Sequence, residues 1–180
     1  MYRALLLTGI AGVGKTTVAQ AAGRLLTASG RGTAVVDTDV LAQFGPPPPA
    51  GPGSGQFYDR LKCANLAAVW ANFKVAGARL IVVAAVIEEP DVRGMYARCL
   101  SDCETHLVRL TADDATVRDR LRRREEGTQL ERHLSTLDSP SHTPTLNADL
   151  TVTNDRSPDD VATEILIRAG WSDEVAIPGR

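Results

Sequence analysis

The segment Gly9-Ile10-Ala11-Gly12-Val13-Gly14-Lys15-Thr16 constrains this chain more than any other, because it fits G-x-x-x-x-G-K-[ST] at every fixed position. Before it, Ala4-Leu5-Leu6-Leu7-Thr8 has the length and apolar character of a parallel strand buried on both faces. After it, Thr17 to Leu26 reads as a helix that Ser29-Gly30 ends. Strand, glycine loop and helix in that order direct the chain towards a parallel α/β sheet.

The spacing has a chemical reason. Glycines let the backbone approach phosphate groups without Cβ clashes, and the N–H groups of Gly9, Ala11, Gly12, Val13, Gly14, Lys15, Thr16 and Thr17 converge at a helix start. Lys15 would bring a cation to the β- and γ-phosphates, and the Thr16 hydroxyl would ligate Mg²⁺. A nucleoside triphosphate is the expected ligand, with ATP and Mg²⁺ as cofactors. No Asn-Lys-x-Asp guanine motif is present.

Composition sets the bounds. A chain of 180 residues suits one domain, and with 43% hydrophobic but only 4% aromatic residues its core must be mainly Ala, Val, Leu and Ile. A net charge of -2 argues against nonspecific nucleic-acid binding. No apolar run approaches ~18 residues, so no membrane span is expected. Three cysteines make no disulfide framework. The expectation is a cytoplasmic protein, a monomer or homodimer.

Further strands are expected at 33–36, 79–87, 106–110 and 149–153, and helices at 58–76, 129–137 and 159–169, with another through the arginine run. Asp37-Thr38-Asp39 ends the second strand, where ligands of open parallel sheets bind. Asp37 and Asp39 could take a proton, orient a substrate or hold Mg²⁺ through water; each also reads as a helix cap. Phe44 to Gly55 holds five of the ten prolines and reads either as a lid over an acceptor or as an inert insertion. In the helix that follows, Leu61, Leu66, Val69, Trp70 and Phe73 recur at core spacing, and Arg60 faces either solvent or an anionic substrate. Glu88 and Arg93, beyond the third strand, read as acceptor ligands or as ordinary loop charges. Asp113-Asp114 caps a helix carrying Arg118, Arg120, Arg122, Arg123 and Arg124, in a chain with three lysines. Such a run is a solvated face balanced by Glu125 and Glu126, or a lid whose Arg120 and Arg124, one turn apart, meet a transferring phosphoryl group. Asn154 to Pro158 follows the last strand, where an adenine ring could rest. Cys99, Cys103 and His106 offer three zinc-type ligands with no fourth nearby, so they read as ordinary thiols and a histidine. His133 and His142 show no partner pattern.

Strands alternating with helices after a phosphate loop give a five-stranded parallel sheet with helices on both faces. On Gly9 to Thr16, Asp37-Thr38-Asp39, Arg120-Leu121-x-x-Arg124 and the Asn154 loop, the chain resembles the small P-loop kinases that include adenylylsulfate kinase, shikimate kinase and chloramphenicol phosphotransferase. That resemblance implies a P-loop NTPase fold of nucleotide-kinase type with sheet order 2-3-1-4-5. It implies Asp37 near the acceptor hydroxyl, and Arg120 and Arg124 closing over ATP. Where adenylylsulfate kinases read Asp-Gly-Asp-Asn, this chain has Asp37-Thr38-Asp39-Val40, and it lacks the glycine triplet of shikimate kinases.

The resulting expectation is one kinase domain over 1–180, with a Pro/Gly loop at 44–57 and an arginine lid at 118–138. It would move the γ-phosphoryl group of Mg-ATP to a small hydroxylated or phosphorylated acceptor. Lys15, Asp37, Arg120 and Arg124 would be catalytic, and Asp37, Asp39, Arg60, Glu88 and Arg93 would meet the acceptor. Two alternatives stay open: a nucleoside or nucleoside-monophosphate kinase, and a nucleotide-binding switch acting on a protein partner.

Overall fold

The computed structural model describes residues 1–46, 49, 56–138, 146–171 and 173. Its strands are β1 (Tyr2–Thr8), β2 (Thr33–Asp37), β3 (Leu80–Ala84), β4 (Cys103–Thr111) and β5 (Leu150–Thr153). Its helices are α1 (Lys15–Ala28), α2 (Thr38–Leu41), α3 (Phe57–Val75), α4 (Pro90–Cys99), α5 (Asp114–Arg124), α6 (Gly127–Leu137) and α7 (Pro158–Arg168). All strand pairs are parallel, in the order β2-β3-β1-β4-β5. The expected sheet and strand order are therefore present. With β1 in the middle, the glycine loop leaves the centre of the edge where all five strands end.

Side-chain alternation along β1 divides the core. Leu5 and Leu7 pack with Val18, Ala22, Leu26, Val161 and Ile165 under α1 and α7. Ala4 and Leu6 pack on the opposite face with Leu66, Trp70, Tyr96 and Leu100 of the α3–α4 side. Both faces are covered, which is why β1 and β3 read as continuous apolar runs.

Several expected boundaries shift. β3 ends at Ala84 and not at Ile87, because its neighbours β1 and β2 end at Thr8 and Asp37. Beyond that point the Thr8 hydroxyl stands in for the ladder, accepting from Ile87 N at 2.9 Å and donating to Ile87 O at 3.1 Å. β4 starts at Cys103 because Tyr2 and Arg3 of β1 extend the pairing to Cys103 and Glu104. α6 begins at Gly127, two residues before the expected start; the single turn α2 follows the Asp37 cap that the sequence offered, and α4 was not among the expected helices. Phe73 is 37% exposed, not part of the core, whereas Trp70 one turn earlier is buried. Most of the Pro/Gly segment, and His142, lie outside the described residues. Among the described residues no helix is long and apolar enough to cross a membrane.

Candidate active site

Gly12 and Gly14 carry φ angles of +79° and +100°, a region costly for residues with a Cβ. Space is equally restrictive: a Cβ on Gly12 would lie 2.8 Å from Leu121 Cγ of α5, and one on Gly14 2.4 Å from Asn154 Nδ2. Gly14 is also the N-cap of α1; it supplies no side-chain acceptor, and the first turn holds no acidic residue. The positive end of a 14-residue helix therefore opens into the loop.

The loop is held from behind by its Val13 carbonyl. Asn154 donates to it through Nδ2 at 2.7 Å, Arg120 through Nη1 at 3.2 Å, and Arg120 Nη2 reaches Asn154 O at 3.1 Å. Asn154 is only 4% exposed, and its own backbone N–H bonds Thr111 O at 2.7 Å. Both residues expected at the nucleotide thus brace the loop that would bind it.

Lys15 Nζ donates to Gly9 O at 2.8 Å and Ile10 O at 3.0 Å. Burial holds its ammonium below the usual lysine value, Arg124 adds to that, and Asp39, Asp37 and Glu88 oppose it. Across from it, Thr16 Oγ1 donates to Asp37 Oδ2 at 2.6 Å. Asp37 Oδ1 meanwhile accepts from Asp39 N at 3.0 Å and caps α2, so Asp37 is both a cap and a member of the site. Asp39 pairs with Lys62 at 2.6 Å. The Thr16 hydroxyl and Asp37 carboxylate are hard oxygen donors of the kind Mg²⁺ takes. Among the described residues no group of three or more His, Cys, Asp or Glu is placed to hold a metal ion. Mg²⁺ would therefore fit here only with phosphate oxygens and water completing its shell, as is usual for this ion.

These groups line a cavity of about 470 Å³ that α5 and α6 close from the far side. Of the arginine run, Arg124 lines this cavity. Arg118 pairs with Asp138 at 2.5 Å and Arg123 with Asp119 at 2.9 Å, as expected of a solvated face. Glu125, Gln129 and His133 also line the cavity and were not anticipated. Gln129 and His133, four residues apart on α6, share a helix face, a signal present in the spacing.

Other expected ligands lie elsewhere. Arg93 Nη2 bonds both carboxylate oxygens of Asp149 at 2.8 and 2.9 Å, and Nη1 bonds Asn147 O at 3.0 Å. Its fork therefore ties α4 to the approach of β5. Arg60 lines a groove between α3 and α4 with Cys63, Arg98 and Cys99. Glu88 borders a second cavity of about 270 Å³, lined by Ile10, Ile87, Leu110 and Leu137, on the other side of the loop's first residues. Cys99 Sγ contacts Tyr96 O at 3.2 Å, the setting of a structural thiol.

Residues 5–136 match the family described as AAA domain. The chain belongs to that family. No curated protein matches the sequence of this AAA domain. Among solved structures, it is similar to the Mycobacterium tuberculosis APS kinase in complex with AMPPNP and APS, at 24% identity and a TM-score of 0.63, covering 94% of this chain and 98% of that one. It is similar to the Deinococcus radiodurans tunicamycin resistance protein at 20% identity and TM-score 0.63, covering 99% and 100%. A gluconokinase from Sinorhizobium meliloti follows at 19% identity and TM-score 0.55, covering 96% and 93%. These likenesses establish a small P-loop kinase fold.

Proposed function

We propose that this chain is a Mg-ATP-dependent kinase of a small hydroxylated molecule, formed as one domain over 1–180 with residues 118–138 as its lid. The observation that carries the reading is the Thr16–Asp37 contact of 2.6 Å, which joins the phosphate loop to a carboxylate on one cavity wall. A switch needs only a nucleotide site; a carboxylate joined to the phosphate loop and facing an open cavity is what an acceptor hydroxyl requires in addition.

In this reading Lys15, the loop N–H groups and the α1 N-terminus hold the triphosphate. Mg²⁺, bound through Thr16 and the phosphates, would supply charge neutralisation at the transferring group. The acceptor oxygen attacks the γ-phosphorus as the bond to the β–γ bridging oxygen breaks, and Asp37 takes the hydroxyl proton. The products are ADP and the phosphorylated acceptor. Asp37 already accepts two hydrogen bonds, and a carboxylate has further lone pairs for the acceptor hydroxyl. Arg124 faces the charge that spreads over the transferring oxygens, while Arg120 and Asn154 hold the loop in shape. Asp39 is the remaining residue of this cavity at hand for the acceptor; Glu88 borders the second cavity, and Arg60 and Arg93 point to other work.

The family membership and the fold of the kinase neighbours support this reading, as does a net charge of -2, which suits a small-molecule partner better than nucleic acid. The test is ADP release from Mg-ATP with pooled sugars, metabolites, nucleosides and nucleoside monophosphates, with Lys15→Ala as the blank. Stimulation by one pool, lost in the variant and in Asp37→Asn, is the expected result. Acceleration by a protein fraction and by no small-molecule pool would replace the kinase reading with a switch.

A further inference from the structure

Two extended residues, Glu125 and Glu126, join α5 to α6, with Gly127 at φ +61° completing the turn. Glu126 is exposed, whereas the Glu125 side chain is only 6% exposed, although both neighbours it binds are more open: Arg124 at 59% and His133 at 27%. A buried carboxylate is costly unless paired. Here it is paired twice, from two helices. Oε1 accepts from Arg124 Nε at 3.2 Å and from Arg124 Nη2 in a shorter contact, and Oε2 lies 2.6 Å from His133 Nδ1. Burial acts to raise the Glu125 carboxyl, but the bonds from Arg124 and His133 outweigh it and hold it below the usual glutamate value.

Arg124 ends α5 and is mostly in solvent, so its backbone alone leaves the long side chain many rotamers. Two of its five N–H donors face Glu125, and Arg124 lines the cavity that holds Lys15, close enough for its charge to act on the Lys15 ammonium. We propose that Glu125, held by His133 of α6, is a positioning residue that aims Arg124 at the transferring phosphoryl group. The proposal rests on the kinase reading of the cavity. It also gives His133 a part: α6 keeps the carboxylate aligned, so the lid's second helix acts on the arginine of its first.

The test needs no acceptor. Affinities of the full chain for Mg-ADP and for Mg-ADP with aluminium fluoride, a mimic of the phosphoryl group in flight, separate ground-state binding from what Arg124 adds. Arg124→Ala and Glu125→Gln should each weaken the fluoride complex about 10–100-fold, the scale of a misaimed catalytic group, while Mg-ADP affinity stays within about twofold. Combining them should give no further loss, since Glu125 acts only through Arg124. His133→Gln, at a more open position, should show a smaller loss of the same kind, and covers the case in which Glu125→Gln does not fold. Equal weakening of both ligands by Glu125→Gln, or losses that multiply in the double variant, would overturn the proposal and leave the kinase reading intact. Undiminished binding of both ligands by Lys15→Ala would instead overturn the kinase reading.

Discussion

Gly14→Ala offers a test in which magnitude and cause can be separated. At φ +100° an alanine backbone costs about 1–2 kcal/mol. Its Cβ would lie 2.4 Å from Asn154 Nδ2, so the amide must move and give up its 2.7 Å bond to Val13 O. Val13 O keeps Arg120 Nη1 at 3.2 Å, so this loss is that of one net hydrogen bond, about 0.5–1.5 kcal/mol, without an orphaned carbonyl. The expected sum is about 1.5–3.5 kcal/mol, or ~3–14 °C in Tm for a domain of this size. In an Asn154→Ala background the obstacle is gone and the bond already lost, so Gly14→Ala should cost only the backbone part, about 1–2 kcal/mol. Urea unfolding followed by fluorescence suits the comparison, because Trp70 and Trp171 are both fully buried. Equal costs of Gly14→Ala in the two backgrounds would refute the reasoning, since the strain would then lie in the backbone alone.

Gly23→Ala on α1 should destabilise by about 1–3 kcal/mol, because its Cβ would lie 2.2 Å from Val35 Cγ2 of β2; a Val35→Ala partner substitution should recover most of the loss in the same assay. Asp149→Asn should cost about 1–2 kcal/mol at neutral pH, an amount kept low by partial exposure, since the carboxylate accepts from Arg93 and from Leu107 N. Burial opposes the ionised Asp149, but the Leu107 N–H and Arg93 overcome it and hold the carboxyl low. That stabilisation is therefore present above the unfolded aspartate value of about 3.9 and is lost as pH falls through the lower folded value, where unfolding midpoints of parent and variant should converge. For Lys15 the sign runs the other way in function: with its ammonium held low, Mg-ADP affinity should fall on the alkaline side before the ordinary lysine value of about 10.4, and a calorimetric titration in which affinity holds until about 10.4 would show that burial does not act on it.

The phosphate loop and the sheet were legible because their signals are local. Apolar runs of strand length, each followed by a helix, leave little choice of architecture, and Asp37 lies at a strand end whichever role it takes. What escaped depends on contacts far apart in the chain. Arg93 resembles an acceptor ligand until Asp149, 56 residues on, takes its fork. Asn154 follows the last strand as a ligand-contacting residue would, yet its amide turns to Val13, 141 residues earlier. Glu125 and Glu126 are equivalent in composition; the break between α5 and α6 removes the helical period that would have told the buried one from the exposed one. Phe73 fits the core spacing, but lies one turn beyond the last α3 residue that the core covers.

The bracing of Val13 from Asn154 also says where this unit can be cut. The family match stops at residue 136, ahead of β5, Asn154 and α7. Yet Val161, Ile165 and Leu166 of α7 complete the apolar layer over α1, and Asn154 closes the back of the glycine loop. A fragment ending at 136 would retain every residue of the phosphate motif and lose the support on which its curvature depends. The phosphate motif is complete by Thr16, but the groups that brace it belong to the loop after β5 and to α7, so during synthesis the loop gains its support only after all five strands have been made.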